Sequence, residues 1–205
     1  MIDAYEPHTT NPHPLDTNCQ LSRPYQQIRI YSCAISNIPG TSYLHKSRDN
    51  RSDHRIYPSP SLILDHSIYI ATLASLHYSN KCRPNILKID THGAKLDILE
   101  GASNLFKSGW HPTMVLEFWP EALTRKGHNP MNLVSKLNSL GNRSYVINPH
   151  NSRLEPLVLH SATAYTRSLS RHDIFDKHLT VLCIPTQALP QYMFSLYRYI
   201  SPINV

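Results

Sequence analysis

Residues 86 to 107 place the strongest constraint on the fold. The run Ile86-Leu87-Lys88-Ile89 ends in Asp90-Thr91-His92-Gly93, and from Ala94 onward the apolar residues Leu96, Leu99, Ala102 and Phe106 recur every three or four positions. A short apolar run has the length of a strand, whereas a three-to-four spacing collects side chains on one stripe of a helix. A strand that passes through a polar, glycine-containing turn directly into a helix is the first half of a βαβ unit. The stripe predicts a surface helix over 94–106 packed on a sheet, with Lys95, Asp97, Glu100 and Lys107 on the opposite, solvated side.

Similar runs predict strands at Ile2–Tyr5, Ile28–Ala34, Met114–Phe118, Tyr145–Ile147 and Leu179–Ile184. Their continuous apolar character suits the buried strands of a parallel sheet, so the expected class is α/β with a mostly parallel sheet. Strands 86–89 and 114–118 are expected as parallel neighbours. A second helix is expected from Pro130, in a first turn, through Leu133, Val134, Leu137 and Leu140 to a stop at Gly141. Residues 148–178 read as a long connection before the last strand, and 186–205 as an unassigned tail.

Composition narrows the class further. With 205 residues, 40% hydrophobic and 17% charged, the chain fits one globular domain, and this length buries roughly 70% of the unfolded surface. Lys and Arg outnumber Asp and Glu by 20 to 14, a formal charge of +6, but the charge is scattered. A nucleic-acid binder would rest on that charge and the 12 tyrosines alone, without an aromatic–basic motif. Cys19, Cys33, Cys82 and Cys183 form no CxxC pair, which reads as reduced core thiols rather than a zinc site or a disulfide framework. No carboxylate triad suggests magnesium, and no metal is expected. Without an apolar run of ~20 residues or a signal-peptide pattern, the expected location is cytoplasmic and no membrane partner is expected. The sequons Asn50-Arg51-Ser52 and Asn142-Arg143-Ser144 are then chance matches.

In open α/β sheets ligands gather beyond the carboxyl ends of the strands, which directs attention to Asp90, Thr91 and His92. Asp90 suits a hydrogen bond from a ligand amino group or from substrate, and equally suits capping of the following helix. Histidine is the side chain whose chemistry suits a general base at neutral pH, which makes His92 a candidate, although a lone histidine is more often a bystander. Glu6, just beyond the first apolar run, is acceptor-only and suits a pair of ribose hydroxyls, or is simply a surface glutamate.

Taken together, LKIDTHGAKLDILEGA and the later VLEFWPEAL resemble the signature of the FkbM-type methyltransferases, K-I-D-x-x-G-x-E-x-x-x-L-x-G-A followed by L-E-x-x-P. Upstream, AYEPHTTNPHPLDTN resembles that family's second strand with its ribose-binding glutamate and the helix after it. AISNIPGTSYLHKSRDNRSDHRI resembles the third strand and the hairpin region. The resemblance covers residues 2 to 148, with the blocks in the family's order. It implies a Rossmann-like class I methyltransferase sheet that uses S-adenosylmethionine to methylate a hydroxyl of a sugar, polyketide or similar small-molecule or glycan acceptor. By position it implies Glu6 as the ribose ligand and Ala34 and Ile35 as backbone flanking the adenine. It also matches Asp90 to the acidic residue ending the fourth strand and Glu117 to the carboxylate in the fifth, so that Asp90, with His92 as the candidate base, is the expected catalytic pair and Glu117 the expected substrate-binding residue. Residues 1–148 are then the methyltransferase domain from its second strand onward, and 149–205 the C-terminal connection, last strand and tail.

This sequence departs from the family pattern at His92, where an acid is common, and at Lys95, where glutamate is common. The family's first strand and glycine-rich cofactor loop have no counterpart here, since Gly40, Gly93, Gly101, Gly109, Gly127 and Gly141 form no such loop. The sheet is therefore expected to be N-terminally incomplete and cofactor affinity weak. Two or three missing hydrogen bonds to charged groups, at ~1.5 to 3 kcal/mol each, correspond to a factor on the order of 10² or more. The alternative is a catalytically inactive methyltransferase-like binding module or a gene fragment.

Overall fold

A computed structural model of the chain describes residues 1–8, 17, 20–21, 27–48, 54–80, 83–148, 150, 153–158, 162 and 178–190. Along them run β1 (Ile2–Tyr5), β2 (Ile28–Tyr31), β3 (Ala34–Ile35), β4 (Gly40–Ser47), β5 (Leu62–Ala71), α1 (Leu73–Asn80), β6 (Ile86–Ile89), α2 (Lys95–Gly101), α3 (Ser103–Lys107), β7 (Thr113–Phe118), α4 (Pro120–Arg125), α5 (Pro130–Ser139), β8 (Asn142–Ile147), β9 (Leu154–Pro156) and β10 (Leu179–Pro185). They divide into two compact units. One holds Met1–Lys81 with Asp97–Asn104, the other Cys82–Leu96 with Leu105–Val205.

In the first unit β1 and β2 pair in parallel, Ile2 against Ile28 through Tyr5 against Tyr31. Parallel neighbours need a crossover of a dozen or more residues, and the stretch between them supplies it. Of the helix expected there, Thr17, Gln20 and Leu21 are helical and the rest lies outside the described residues. The expected strand 28–34 is two strands, because the Cys33 amide donates to Tyr31 O at 3.0 Å and that tight turn interrupts the extended chain. A three-stranded sheet, ordered β3-β5-β4, pairs β3 with β5 in parallel and β4 with β5 antiparallel. The β4–β5 register shifts between Tyr43 and His45. Leu44, in that irregularity, is buried with Ala34 and Ile68, against which Ile56 and Ile70 pack.

The second unit carries a five-stranded sheet in the order β6-β7-β10-β8-β9. As expected, β6 and β7 are parallel neighbours. The expectation of a mostly parallel sheet is corrected, since β10 runs antiparallel to both β7 and β8, and β9 runs antiparallel to β8. The sheet is mixed because an apolar run encodes burial and not direction; the chain's return path decides which way a strand enters. A further correction concerns burial: β6 is an edge strand whose Ile86 is 68% exposed. In β7 only Met114, Leu116 and Phe118 are buried, alternating with Thr113, Val115 and Glu117, as a sheet with two unlike faces requires. Tyr145, Leu154, Ile184 and Leu189 form a core cluster with Ile147 and Leu182.

The expected surface helix over 94–106 is also corrected. It is two helices, and Lys95 and Asp97 are buried with Leu96, Ile98 and Leu99 rather than solvated; only Glu100, Asn104 and Lys107 of α2 and α3 are exposed. By contrast α5 follows its spacing closely, burying Leu133, Val134 and Leu137. Asn129 caps it by accepting from the Met131 amide at 2.9 Å, ahead of Pro130 in the first turn. Replacing Asn129 by alanine is expected to cost about 1 kcal/mol. In thermal unfolding that is a midpoint roughly 2–4 °C lower; an unchanged midpoint would refute the cap.

Cys33 and Cys183 are free and buried, and burial pushes the Cys183 thiol up to about 11; Cys19 and Cys82 lie outside the described residues. Asn142 is 8% exposed within β8 and donates to Leu137 O, so it is a structural asparagine. Asn50-Arg51-Ser52 lies outside the described residues, as do most of 148–178 and of the tail.

Candidate active site

The carboxyl ends of β6 and β7 gather the chemistry of the second unit. Their register pairs Ile89 with Leu116, and one residue further sets Asp90 level with Glu117. Asp90 accepts from Lys88 Nζ at 2.8 Å while remaining 54% exposed. That hydrogen bond, more than any other influence, holds its carboxyl below the usual range. Such a group is a good hydrogen-bond acceptor and a poor proton acceptor at neutral pH. The partner is thus Lys88 and not a helix amide, so the capping reading is not what the side chain does. His92 is half-buried with its ring edge-on to Trp119, centroids 4.9 Å apart.

Lys95 is the residue that sequence reasoning placed wrongly. Its side chain is 1% exposed and donates to Thr91 O and, at 3.5 Å, to Glu117 Oε2. Burial lowers its ammonium from the ordinary value, while Glu117 and Asp90 oppose the change. A cation in the first turn of a helix opposes the helix dipole, and the Thr91 carbonyl and Glu117 carboxylate offset this. Glu117 is itself 15% exposed, with its other oxygen 3.5 Å from His178 Nδ1. The family pattern at position 95 had suggested only a lost acid, whereas the geometry shows a buried ion pair. Its one sequence signal was Glu117, the single charge in β7.

Two polar atoms here are buried without a hydrogen-bond partner, Thr91 Oγ1 and Trp119 Nε1. Buried donors normally find partners, so these atoms mark where a ligand or ordered water is needed. Trp119 and His178 had no sequence signal of their own.

The first unit holds the other three predicted residues. Glu6 follows β1, its amide continuing the ladder to Tyr31 O at 3.0 Å. One of its carboxylate oxygens, Oε1, accepts from the His8 amide at 2.8 Å. Ala34 and Ile35 form β3, an edge strand of its sheet, with Ala34 in the buried cluster. Glu6, Ala34 and Ile35 thus lie in one unit and Asp90, His92 and Glu117 in the other. Among the described residues no group of three or more His, Cys, Asp or Glu side chains is placed to hold a metal ion. No helix among them is long and apolar enough to cross a membrane.

The family model of the methyltransferase FkbM domain matches residues 3–159. The chain belongs to the FkbM methyltransferase family. All six predicted site residues, and Lys95, fall within that match, whereas β10 and His178 lie beyond it. A crystal structure of an FkbM methyltransferase from Methylobacillus flagellatus KT is similar at 12% identity and a TM-score of 0.47, over 89% of this chain and 36% of that one. The FkbM chain described here therefore spans little more than a third of that protein's length. A search of the curated proteins found no match.

Proposed function

We propose that this chain acts as an S-adenosylmethionine-dependent methyltransferase whose acceptor is a hydroxyl of a sugar, polyketide or similar metabolite. The observation that carries the reading is the unsatisfied pair Thr91 Oγ1 and Trp119 Nε1 at the ends of two parallel strands. An indole N–H only donates and a hydroxyl does both, which suits a ligand rich in hydroxyl oxygens. The family match supports methyl transfer as the reaction.

The first unit's residues fit the donor's nucleoside. Glu6 Oε2 has no partner among the described residues, leaving it able to accept from ribose hydroxyls, and Ala34-Ile35 offer edge-strand backbone to the adenine. When bound, the donor supplies a methyl activated on a sulfonium. In the second unit His92 takes the proton of the acceptor hydroxyl, while Asp90, kept ionised by Lys88, orients a donor group without taking its proton. Glu117, oriented by Lys95, accepts from a second acceptor hydroxyl.

Methyl transfer from isotope-labelled donor to a panel of hydroxylated acceptors, with calorimetric titration of the donor, tests the proposal. His92→Ala is expected to lower kcat about a hundredfold, the lower end for loss of a general base, with donor affinity unchanged. No donor binding and no labelled product would sink it; a methyl found on nitrogen or carbon would sink the hydroxyl assignment.

A further inference from the structure

We propose that His8, His54 and His66, gathered with Asp65 and Lys46 in the first unit, form an acid-sensitive latch that holds the Glu6 carboxylate in place. The His8 side chain is 5% exposed. Its ring stacks on that of His54 with centroids 4.5 Å apart and meets that of His66 edge-on at 5.8 Å. Asp65 Oδ2 lies 2.9 Å from His66 Nδ1 and 3.6 Å from His8 Nε2. His54 Nδ1 and His66 Nε2 are buried without hydrogen-bond partners. Neighbouring Arg55 instead lies over the Tyr57 ring, 5.6 Å from its centroid.

His66 and His8 thus share one carboxylate, and His54 is stacked against His8. His66 is the closer partner of Asp65, so a proton on His8 puts a second cation among His54, His66 and Lys46 in a partly dry place, which burial and like charge both disfavour. Consistently, burial first and then His54 lower the His8 ring from the ordinary histidine value, against the pull of Asp65. The unfolded chain therefore binds this proton more readily than the folded one. Its contribution to stability is present above the ordinary histidine value and is lost as pH falls through the folded one.

The coupling to Glu6 is direct, because the His8 amide donates to Glu6 Oε1 at 2.8 Å. The stacked ring anchors residue 8, and residue 8 holds the carboxylate. When acid drives the charged ring toward water, the amide moves with it and Glu6 is released. Any effect on donor binding rests on the reading of Glu6 given above; the latch itself does not.

The test titrates the histidine ring and backbone amide signals of the 205-residue chain by NMR from pH 8 to 5, beside thermal unfolding of wild type and His8→Phe. Neither measurement uses the methyl donor, so failure of the donor assignment leaves the test intact. His8 is expected to titrate below the ordinary histidine value, with the His8 and Glu6 amides shifting over the same pH interval. The wild-type midpoint should fall several degrees further between pH 7 and pH 5 than that of the variant, whose ring stacks but does not titrate. The latch is overturned if His8 titrates at or above the ordinary value, if the amides shift in another interval, or if both proteins lose equal stability. Stoichiometric zinc uptake abolished by His8→Phe would also overturn it, assigning the cluster to a metal.

Discussion

Lys95→Met will destabilise the protein by about 3 kcal/mol, the lower end for breaking a buried ion pair. Methionine fills nearly the same volume, so the loss reports charge rather than a cavity. Without the ammonium, Glu117, 15% exposed, keeps among the described residues only His178 at 3.5 Å, and the Thr91 carbonyl loses the Lys95 donor. Glu117→Gln leaves the opposite defect, a buried cation, and removes the largest influence raising the Lys95 ammonium. The Lys95 value then falls further below that of the unfolded chain. In the window between the two values the unfolded state binds the extra proton, so the stability of Glu117→Gln rises with pH there. Denaturant unfolding of both single variants and the double variant measures the pair. The double variant should lose less than the sum of the two; a loss below about 1 kcal/mol in Lys95→Met would show that burial is not sustained by the ion pair.

Gly101→Ala will cost about 3 kcal/mol, the upper end of ordinary overpacking, although in a helix the change should by itself gain roughly 0.5 to 1 kcal/mol. The overlap decides the sign. A Cβ at position 101 would stand 2.3 Å from Ser36 O and 3.1 Å from Asn37 Cα, and both are backbone. Ser36 is held in turn by its amide N–H, which donates to Ala71 O at 3.0 Å, and Asn37 by Nδ2, which donates to Glu100 Oε2 at 3.1 Å. Neither atom can rotate away as a side chain would. The expected fall in unfolding midpoint is roughly 6–12 °C, taking 2–4 °C per kcal/mol. A variant as stable as wild type would mean that the close approach relaxes freely.

Strand positions were readable where a short apolar run stood alone. The runs at 2–5, 86–89, 114–118, 145–147 and 179–184 all coincide with strands to within a few residues. The longest strand among the described residues, Leu62–Ala71, has no uninterrupted apolar run to announce it, because Asp65-His66-Ser67 breaks up its apolar residues. Two of those polar residues, Asp65 and His66, meet His8 across the unit, a partnership that no local pattern announces. The family's hairpin region did foreshadow β4. β9, within the expected long connection, is a three-residue strand secured by pairing with β8, too short to carry a periodicity of its own.

What the sequence determined by itself is local and compositional: an α/β chain, the strand–Asp-Thr-His-Gly–helix unit, the helix that opens at Pro130, and the family, whose signature residues stand in order along the chain. Each depends on neighbours within one turn or one strand, where steric and hydrogen-bonding preferences act directly. The tertiary structure alone decided strand direction, the edge position of β6, the burial of Lys95 against Glu117, and the gathering of His8, His54 and His66 beside Asp65. These depend on groups tens of residues apart, whose desolvation and pairing energies exist only once the chain has brought them together, and a helix position that looks solvated by its charge becomes buried when a partner of opposite sign arrives from another strand.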